Sequence, residues 1–373
     1  MLLSESEGRR LAGPTSRLQD GASSLLPAEQ PMSDANLTPD HILQVGMGFW
    51  ASKTLLSAVE LGLFTTLGDG SMTAAEIRDG LGLDQRAVPD FTDALLALGL
   101  LEREGSGRDA RYANTPETAL FLNRESPAYV GGMLEMANAR LYGFWGSLTE
   151  ALQTGQPQNE IKETGEPMFA KLYAEPERLD QFMNAMAGIS AGNFAAFAGG
   201  FDFSKYETLC DVGGATGQLS CMVAAQNPHM RCTTFDLPKV KPIADRWIER
   251  AGLSDRVEAV AGDFFEDELP EADVITMGMI LHDWNLEKKM HLIEKAYRAL
   301  PEGGALVAIE ALIDDERRQN AFGLLMSLNM LIEFGDAFDY SGADFQRWCR
   351  EVGFARFEVM PLAGPSSAAI AYK

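Results

Sequence analysis

Three aspartates have the type and spacing of residues that hold a ligand. Asp211, Asp236 and Asp263 each stand at or beside the end of a short strand-like run, in three successive runs. A carboxylate at the end of the second strand of such a series can accept hydrogen bonds from both hydroxyls of a ribose. Asp211 suits a cationic amino group, and Asp263 can accept from an adenine amine with Phe264 against the ring. A single aspartate often only caps a helix, but the three together indicate an adenosine joined to an amino acid.

A group of glycines lies between the first strand-like run and the following helix, in the segment DVGGATG at 211–217. Glycine allows tight turns and close approach of the backbone to a ligand. The spacing does not fit a dinucleotide fingerprint, because Val212 stands where the first glycine would be, and there is no Gly-Lys-Ser/Thr of a phosphate loop. An adenosine joined to an amino acid without phosphate is S-adenosylmethionine, and we expect that cofactor.

His282 is the histidine best placed to act as a general base. It lies in Leu281-His282-Asp283-Trp284, directly after the fourth strand-like run, and Glu310 ends the fifth. A neutral imidazole can take the proton of a hydroxyl group while that oxygen attacks a methyl carbon. The alternative interpretation is a histidine of the core. The other histidines are interpreted as surface or structural residues: His41, His229 and His291.

The elements that position these residues follow from the spacing of apolar residues. Strand-like runs and helices alternate from residue 206 onward. This alternation predicts a doubly wound, Rossmann-like α/β domain with a parallel sheet, whose ligands bind at the carboxyl ends of the strands. The strands are expected at 208–212, 231–235, 257–261, 272–281 and 305–310, and the helices at 218–226, 239–251 and 286–300.

Residues 38–125 predict a smaller N-terminal domain. Three helical segments precede two strand-like runs, 100–104 and 111–115, that flank a glycine-rich turn, and this combination indicates a winged helix. Thr73 followed by Glu76 forms a capping box at the start of one helix. The third helix lacks a basic cluster, so a dimerisation role is favoured over DNA binding.

The remaining segments complete the predicted organisation. Residues 1–37 are rich in Ser, Gly, Pro and charge, and they predict a disordered tail. Residues 126–200 predict a helical connecting segment that caps the substrate, with many Met and aromatic residues. Residues 201–373 are expected to form the catalytic domain.

Charge and composition exclude several classes of partner. Across 373 residues, 31 Lys+Arg oppose 54 Asp+Glu and leave a net charge of -23. Such an acidic surface argues against binding nucleic acid or anionic lipid. No apolar run reaches the roughly 18 residues of a membrane helix. The four cysteines show no metal-binding spacing. We therefore expect a cytoplasmic protein without a metal.

Together these motifs resemble the S-adenosylmethionine-dependent O-methyltransferases of the caffeic acid, hydroxyindole and antibiotic-tailoring type, over residues 40–373. The resemblance is most specific at Leu281-His282-Asp283-Trp284. It implies that His282 is the general base and that Glu310 and Asp339 flank its imidazole. The cofactor contacts it implies are Asp211, Gly213, Gly214, Gly217, Asp236, Leu237, Asp263, Phe264 and Ser190. The substrate contacts it implies are Phe182, Met186, Asp283, Trp284 and Met330.

Several positions depart from the family pattern. Asp339 and Tyr340 replace the usual Glu and Arg, Gly278 replaces a Lys near the adenosine, and Ser327 replaces an Asp. These departures affect the prediction of which acceptor is methylated more than the prediction of methyl transfer itself. We therefore expect an enzyme that transfers a methyl group from S-adenosylmethionine to a hydroxyl of a small aromatic acceptor. The resemblance also implies an intertwined homodimer.

Two alternatives stay open. A member of this family can use bound S-adenosylmethionine for decarboxylation or hydroxylation, although the presence of His282 and Glu310 argues for methyl transfer. The alternative from another class is a winged-helix regulator that senses S-adenosylmethionine. Salt-dependent DNA binding would reveal such a regulator.

Overall fold

The computed structural model describes residues 37–165 and 176–373. Among the described residues two units are distinguished, one at residues 37–48 and one from Phe49 onward. The predicted disordered tail lies outside the described residues, apart from Leu37. The first unit contributes helix α1 (Asp40–Gly46).

The front of the second unit combines short helices with a small sheet. The helices are α2 (Gly48–Glu60), α3 (Leu63–Leu67), α4 (Ala74–Leu81), α5 (Ala87–Ala97) and α6 (Pro116–Phe121). The strands are β1 (Ser71–Thr73), β2 (Leu101–Glu104) and β3 (Arg111–Asn114), antiparallel in the order β1-β3-β2. The predicted hairpin is therefore confirmed as β2 and β3.

The capping box at Thr73 is also confirmed. The Thr73 hydroxyl accepts a hydrogen bond from the N–H of Glu76, and the Glu76 carboxylate accepts one from the N–H of Thr73. Strand β1 was not predicted. It has only three residues, and its last residue, Thr73, is also the N-cap of α4. The sequence pattern at this point therefore indicates the start of a helix and not a strand.

The middle of the chain is helical, as predicted, over the residues that the structure describes there. Its elements are α7 (Gly131–Met136), a π-helical turn (Ala137–Leu141), α8 (Tyr142–Phe144), a 3-10 turn (Trp145–Ser147), α9 (Leu148–Thr154), α10 (Glu160–Thr164) and α11 (Pro176–Gly200).

The second half of the chain forms a seven-stranded sheet. Its strands are β4 (Thr208–Val212), β5 (Arg231–Asp236), β6 (Val257–Ala261), β7 (Val274–Gly278), β8 (Ala305–Glu310), β9 (Arg356–Pro361) and β10 (Ser367–Tyr372). Their order is β6-β5-β4-β7-β8-β10-β9. Strands β4 to β8 are parallel, as predicted, whereas β10 is antiparallel to both of its neighbours. The predicted parallel sheet is therefore extended at this edge by an antiparallel pair of strands.

Helices cover both faces of this sheet. They are α12 (Gln218–Gln226) and α13 (Lys241–Arg250) on one face, and α14 (Leu286–Ala299) and α16 (Gly342–Val352) on the other. Helix α15 (Ala321–Phe334) packs instead against α9 and the turn at residues 281–283. Successive residues of a strand point to opposite faces. In β8, Leu306 and Ala308 pack into one apolar core while Val307 and Ile309 pack into another. Two separate cores flank the sheet, which is why its strands are apolar at consecutive positions.

Hydrogen bonds and an ion pair join the middle helical region to α15. The Trp145 indole N–H donates to Asn329 Oδ1 at 2.9 Å. The Arg140 guanidinium bridges Glu160 and Glu333, and Glu333 is itself buried. Within residues 37–165 and 176–373, no helix has both the length and the apolar character that crossing a membrane requires.

Candidate active site

The glycine loop between β4 and α12 leaves room for a ligand close to the backbone. Gly213 has a φ of +68° and Gly217 one of +74°, in the region that favours glycine. A Cβ on Gly213 would lie 2.3 Å from Ile280 Cδ1, and one on Gly214 would lie 2.2 Å from Thr234 Oγ1. Gly213 and Gly214 therefore cannot carry a side chain without a shift of their neighbours, and both line a cavity with backbone atoms that a ligand can approach.

Asp236, at the end of β5, is oriented by two backbone amides. Its Oδ2 accepts from the N–H of Ala215 at 2.9 Å, and its Oδ1 accepts from the N–H of Leu237 at 2.7 Å. Burial raises the pKa of Asp236 to about 6, while these two hydrogen bonds act to lower it. Because an ionised carboxylate has about four acceptor sites, the fixed Asp236 can still accept two ribose hydroxyls.

Asp211 is a second buried carboxylate beside the loop. Its Oδ1 accepts a hydrogen bond from the Thr276 hydroxyl at 2.7 Å. Burial raises the pKa of Asp211 to about 7, against the effect of the Thr276 hydrogen bond and with a contribution from the charge of Asp236. Two buried carboxylates whose charges are costly form a favourable place for a cationic ligand.

One cavity brings together most of the predicted cofactor and substrate residues. Those that line it are Phe182, Met186, Ser190, Asp211, Gly213, Gly214, Asp236, Leu237, Asp263, Phe264, Asp283 and Trp284. Gly217 lies outside this lining and is the N-cap residue of α12. Met330 is buried on α15, also outside the lining. The chemistry of the lining, with glycine backbone, strand-end acids and aromatic rings, fits S-adenosylmethionine.

Sequence reasoning missed several residues of this cavity. Met279 follows β7 with a φ of +55°, a strained conformation for a residue with a side chain. Phe194, on α11, also lines the cavity. A Cβ on Gly278 would lie 3.1 Å from Phe194 Cε1, so the ring accounts for the glycine at this position. The predicted strand 272–281 included Met279, whereas β7 ends at Gly278, so no separate signal in the sequence marked this residue.

His282 lies behind the cavity, in a 3-10 turn (Leu281–Asp283), and is 4% exposed. Its Nδ1 is 3.4 Å from Asp339 Oδ1 and 3.9 Å from Glu310 Oε2. Its Nε2 is 3.3 Å from Asp283 Oδ1. Asp283 lines the cavity whereas His282 does not. The structure thus brings the three predicted catalytic residues together and adds Asp283 on the cavity side.

Neighbouring strands explain this convergence. Strands β7 and β8 pair in parallel, so the turn that carries His282 and the end of β8 that carries Glu310 meet at one edge of the sheet. Glu310 Oε1 accepts from the backbone N–H of His282 at 3.3 Å. The backbone N–H of Asp339 donates to Ser327 Oγ at 3.2 Å. Ser327 therefore positions the segment that holds Asp339.

The cluster binds protons more tightly than its separate side chains would. Burial lowers the pKa of His282, but Glu310, Asp283 and Asp339 raise it more, from its usual 6.5 to about 10. Burial raises the pKa of Glu310 to about 7 and that of Asp283 to about 6, while His282 lowers both. A proton that reaches this imidazole is therefore held firmly.

The donor atoms of His282, Glu310 and Asp339 all lie within 4.8 Å of one another. A cluster of this kind can share a proton or attract a cation. The ammonium group of Lys289 already interacts with both carboxylates. This nearby positive charge makes binding of a metal cation at the cluster less favourable.

Comparison with known proteins decides the family. A family model for the O-methyltransferase domain matches residues 145–355, and one for the O-methyltransferase dimerisation domain matches residues 43–124. The chain belongs to the O-methyltransferase family. It is an S-adenosylmethionine-dependent O-methyltransferase that carries an N-terminal dimerisation domain, as the resemblance predicts.

Relatives and solved structures agree with this assignment. The tetracenomycin polyketide synthesis 8-O-methyl transferase TcmO of Streptomyces glaucescens is 39% identical over 335 residues, which are 90% of this chain and 97% of that protein. The N,N-dimethyltransferase OxyT of Streptomyces rimosus is 36% identical over 84% of this chain and 90% of its own length. Human N-acetylserotonin methyltransferase in complex with SAM superimposes with a TM-score of 0.83 at 29% identity, covering 92% of this chain and 99% of that one. Neither the regulator nor the non-methylating alternative is favoured by these matches.

Proposed function

We propose that this O-methyltransferase methylates a hydroxyl group of a small aromatic acceptor and that His282 is the general base. The observation that carries the proposal is the placement of its imidazole. Nδ1 faces Asp339 and Glu310, and Nε2 faces Asp283 at the wall of the cavity that holds the cofactor loop.

S-adenosylmethionine supplies a methyl group carried on a positively charged sulfur. The acceptor oxygen forms a bond to the methyl carbon as the carbon–sulfur bond breaks, and Nε2 of His282 takes the hydroxyl proton. Nδ1 keeps its own proton toward Asp339 and Glu310, whose negative charge stabilises the imidazolium that forms. The chain otherwise contributes alignment of the two reactants.

Asp283 controls access to the base in this arrangement. Its Oδ1 lies 3.3 Å from Nε2 of His282, which is the atom that an acceptor hydroxyl has to reach. The Asp283 carboxylate therefore turns aside when the acceptor binds, or it binds the same hydroxyl. In the second case Asp283 would contact the substrate, which is the role that the sequence resemblance implies for it.

The aromatic character of the acceptor is supported by the cavity. Phe264, Phe265 and Trp284 pack edge to face, with the Phe264 and Trp284 ring centroids 6.1 Å apart and those of Phe265 and Trp284 4.7 Å apart. Phe182 and Met186 line the same cavity. Flat apolar acceptors fit such walls. TcmO, named for a polyketide pathway, points in the same direction.

A panel of acceptors tests the proposal, because OxyT shows that a relative can bear the name of an N,N-dimethyltransferase. Phenols, indoles, polyketides and aromatic amines would each be incubated with labelled S-adenosylmethionine. We expect methylation of aromatic hydroxyls and loss of this activity in His282→Ala. Methylation confined to amines, which need no base to become nucleophilic when neutral, would contradict the proposal.

We also propose that residues 38–125 form the homodimer interface, that residues 126–200 cap the substrate and that residues 201–373 carry the chemistry. The match of the dimerisation domain to residues 43–124 supports the first assignment. The cavity contacts of Phe182, Met186 and Ser190 on α11 support the second.

A further inference from the structure

A lysine is buried beside the carboxylates of the candidate active site. Lys289 lies on α14 and is 0% exposed. Its Nζ donates to the carbonyl oxygen of Trp284 and, at 2.8 Å, to that of Phe338. The ammonium group also lies 3.5 Å from the centroid of the Phe338 ring. A lysine is seldom buried without a reason of this kind, because removing its charge from water is costly.

The two carbonyls belong to the segments that carry the catalytic cluster. Trp284 follows His282 by two residues, and Phe338 directly precedes Asp339. Lys289 therefore joins the turn that holds the base to the segment that holds one of its carboxylates. These hydrogen bonds explain how Lys289 can fix the two segments, but a neutral donor could do the same, so they do not explain why the side chain is positively charged.

The charge of Lys289 faces the same carboxylates as His282. The groups around His282 are Asp283 on its own turn, Glu310 on β8 and Asp339. Lys289 interacts with these three and with Asp336. At the margin of the cluster, Glu333 on α15 acts on Asp283, and Tyr340 interacts with Glu310.

We propose that Lys289 is a positioning residue of the general base, whose buried positive charge beside Glu310, Asp339 and Asp283 favours the neutral form of the His282 imidazole. A cation near the cluster makes one further proton on the imidazole less favourable. Without it, the carboxylates would hold a proton on His282 to still higher pH. The effect of Lys289 on the pKa of His282 does not depend on the proposed function. Its effect on the rate of methyl transfer does, because it requires His282 to be the general base.

The state of Lys289 is consistent with this role. Burial lowers the pKa of its ammonium group to about 8, while Glu310, Asp339, Asp283 and Asp336 act to raise it. The group therefore stays charged at neutral pH despite its burial.

The experiment is a titration of His282 by NMR in protein labelled with ¹⁵N-histidine, with the signal assigned by its absence in His282→Gln. Only four histidines have to be distinguished. Two variants separate charge from contact. Lys289→Met removes the charge and both hydrogen bonds, whereas Lys289→Gln removes the charge but keeps an N–H donor. We expect both variants to raise the pKa of His282 by about one unit, the size of shift that one nearby charge produces.

Lys295 provides a matched control on the same helix. It is also buried, and its Nζ donates to the carbonyls of Phe265, at 3.3 Å, and Asp267. Both acceptors lie in the segment that follows β6, not in the segments that carry His282 and Asp339. Lys295→Met should leave the His282 pKa unchanged, whatever it does to stability.

Kinetics then connect the shift to turnover. In single-turnover methyl transfer, the apparent pKa of the pH–rate profile should rise by the same amount in Lys289→Gln. Below that pKa the variant should therefore react about tenfold more slowly than the wild type, and at higher pH, where His282 is neutral in both proteins, the two rates should be equal. Lys289→Arg, which retains the charge, should restore the wild-type profile. A Lys289→Gln protein that still binds S-adenosylhomocysteine and leaves the His282 pKa unchanged would overturn the inference. A shifted pKa with no effect of His282→Ala on the rate would instead overturn the proposed function.

Discussion

The charges around His282 determine the pH at which this residue can act as a base. A general base has to be neutral before it can act, and the carboxylates around His282 raise its pKa from 6.5 to about 10. The rate of methyl transfer should therefore rise with pH through a value above the ordinary histidine range. This is higher than the sequence alone predicts, because sequence motifs do not report how many buried carboxylates face one imidazole.

His282→Ala should lower the single-turnover rate by roughly 10²–10⁴, the usual contribution of a general base, and should remove the rise of the rate with pH. The measurement needs an acceptor whose hydroxyl ionises only at high pH, since an ionised acceptor needs no base. Glu310→Gln should cost less than His282→Ala. An alanine variant within about threefold of the wild-type rate would show that alignment alone accounts for the reaction.

Asp211 should make cofactor binding depend on pH. Its carboxyl, with a pKa raised to about 7, is partly protonated in the free enzyme at neutral pH. A cationic amino group bound beside it lowers that pKa, so binding of S-adenosylhomocysteine should release a proton. The affinity should then rise from pH 6 to pH 8.

Calorimetry in two buffers of different ionisation enthalpy measures the released proton directly. Asp211→Asn is the informative variant, because it keeps an acceptor for the Thr276 hydroxyl and cannot ionise. It should bind without proton release in this range. Release of the same number of protons by the variant would assign the effect to another group.

The difference between Lys289 and His282 shows what sequence reasoning can reach at this scale. His282 stands out because its residue type and its place after a strand both indicate chemistry. Lys289 does not, because lysines on an amphipathic helix are normally exposed. Leu286, at the start of α14, is 44% exposed, while Lys289 and Lys295 are buried. Their ammonium groups reach backbone carbonyls that only the folded chain brings close.

At the scale of elements, the alternation of strands and helices predicted the centre of the sheet well. Strands β4, β6 and β8 begin and end at the predicted residues. Strand β9 gave no comparable signal, because it lies at the edge of the sheet and is mostly exposed. Strand β10 is buried but alanine-rich, and small residues indicate a strand only weakly.

The glycine loop offers a test at this scale. In Gly214→Ala, the new Cβ would lie 2.2 Å from Thr234 Oγ1, so the loop has to move. We expect the affinity for S-adenosylhomocysteine to fall at least tenfold, an energy of about 1.4 kcal/mol, as measured by calorimetry. Gly146→Ala is the control, because a Cβ there meets nothing within 4 Å. Equal affinity of Gly214→Ala and wild type would show that the loop does not bind the cofactor.

At the scale of the whole molecule, exposed apolar residues indicate how copies of the chain associate. Ile42 and Val45 on α1 are 73% and 67% exposed, and Trp50 on α2 is 61% exposed. Single exposed apolar residues are common, but several large ones at the start of a dimerisation domain favour burial against a second copy. The family match explains their exposure in one chain.

Light scattering at micromolar concentration should give twice the chain mass of 40.6 kDa. Trp50→Asp should shift the population toward monomer, because a buried charge in the interface would be unpaired. Leu152→Asp, at a residue that is equally exposed outside the matched dimerisation domain, should leave the mass unchanged. A wild-type protein that stays monomeric would contradict the predicted homodimer.

The position of β10 has a consequence for the order in which the molecule is assembled. Strand β10 follows β9 in the chain yet lies between β8 and β9 in the sheet. During synthesis, β9 therefore emerges before β10, the strand with which it pairs. Ser367, the first residue of β10, pairs with Glu310 at the end of β8. The backbone that carries one carboxylate of the catalytic cluster is thus paired on this side only when residues 367–372 have docked, so we expect the site to become competent late in folding.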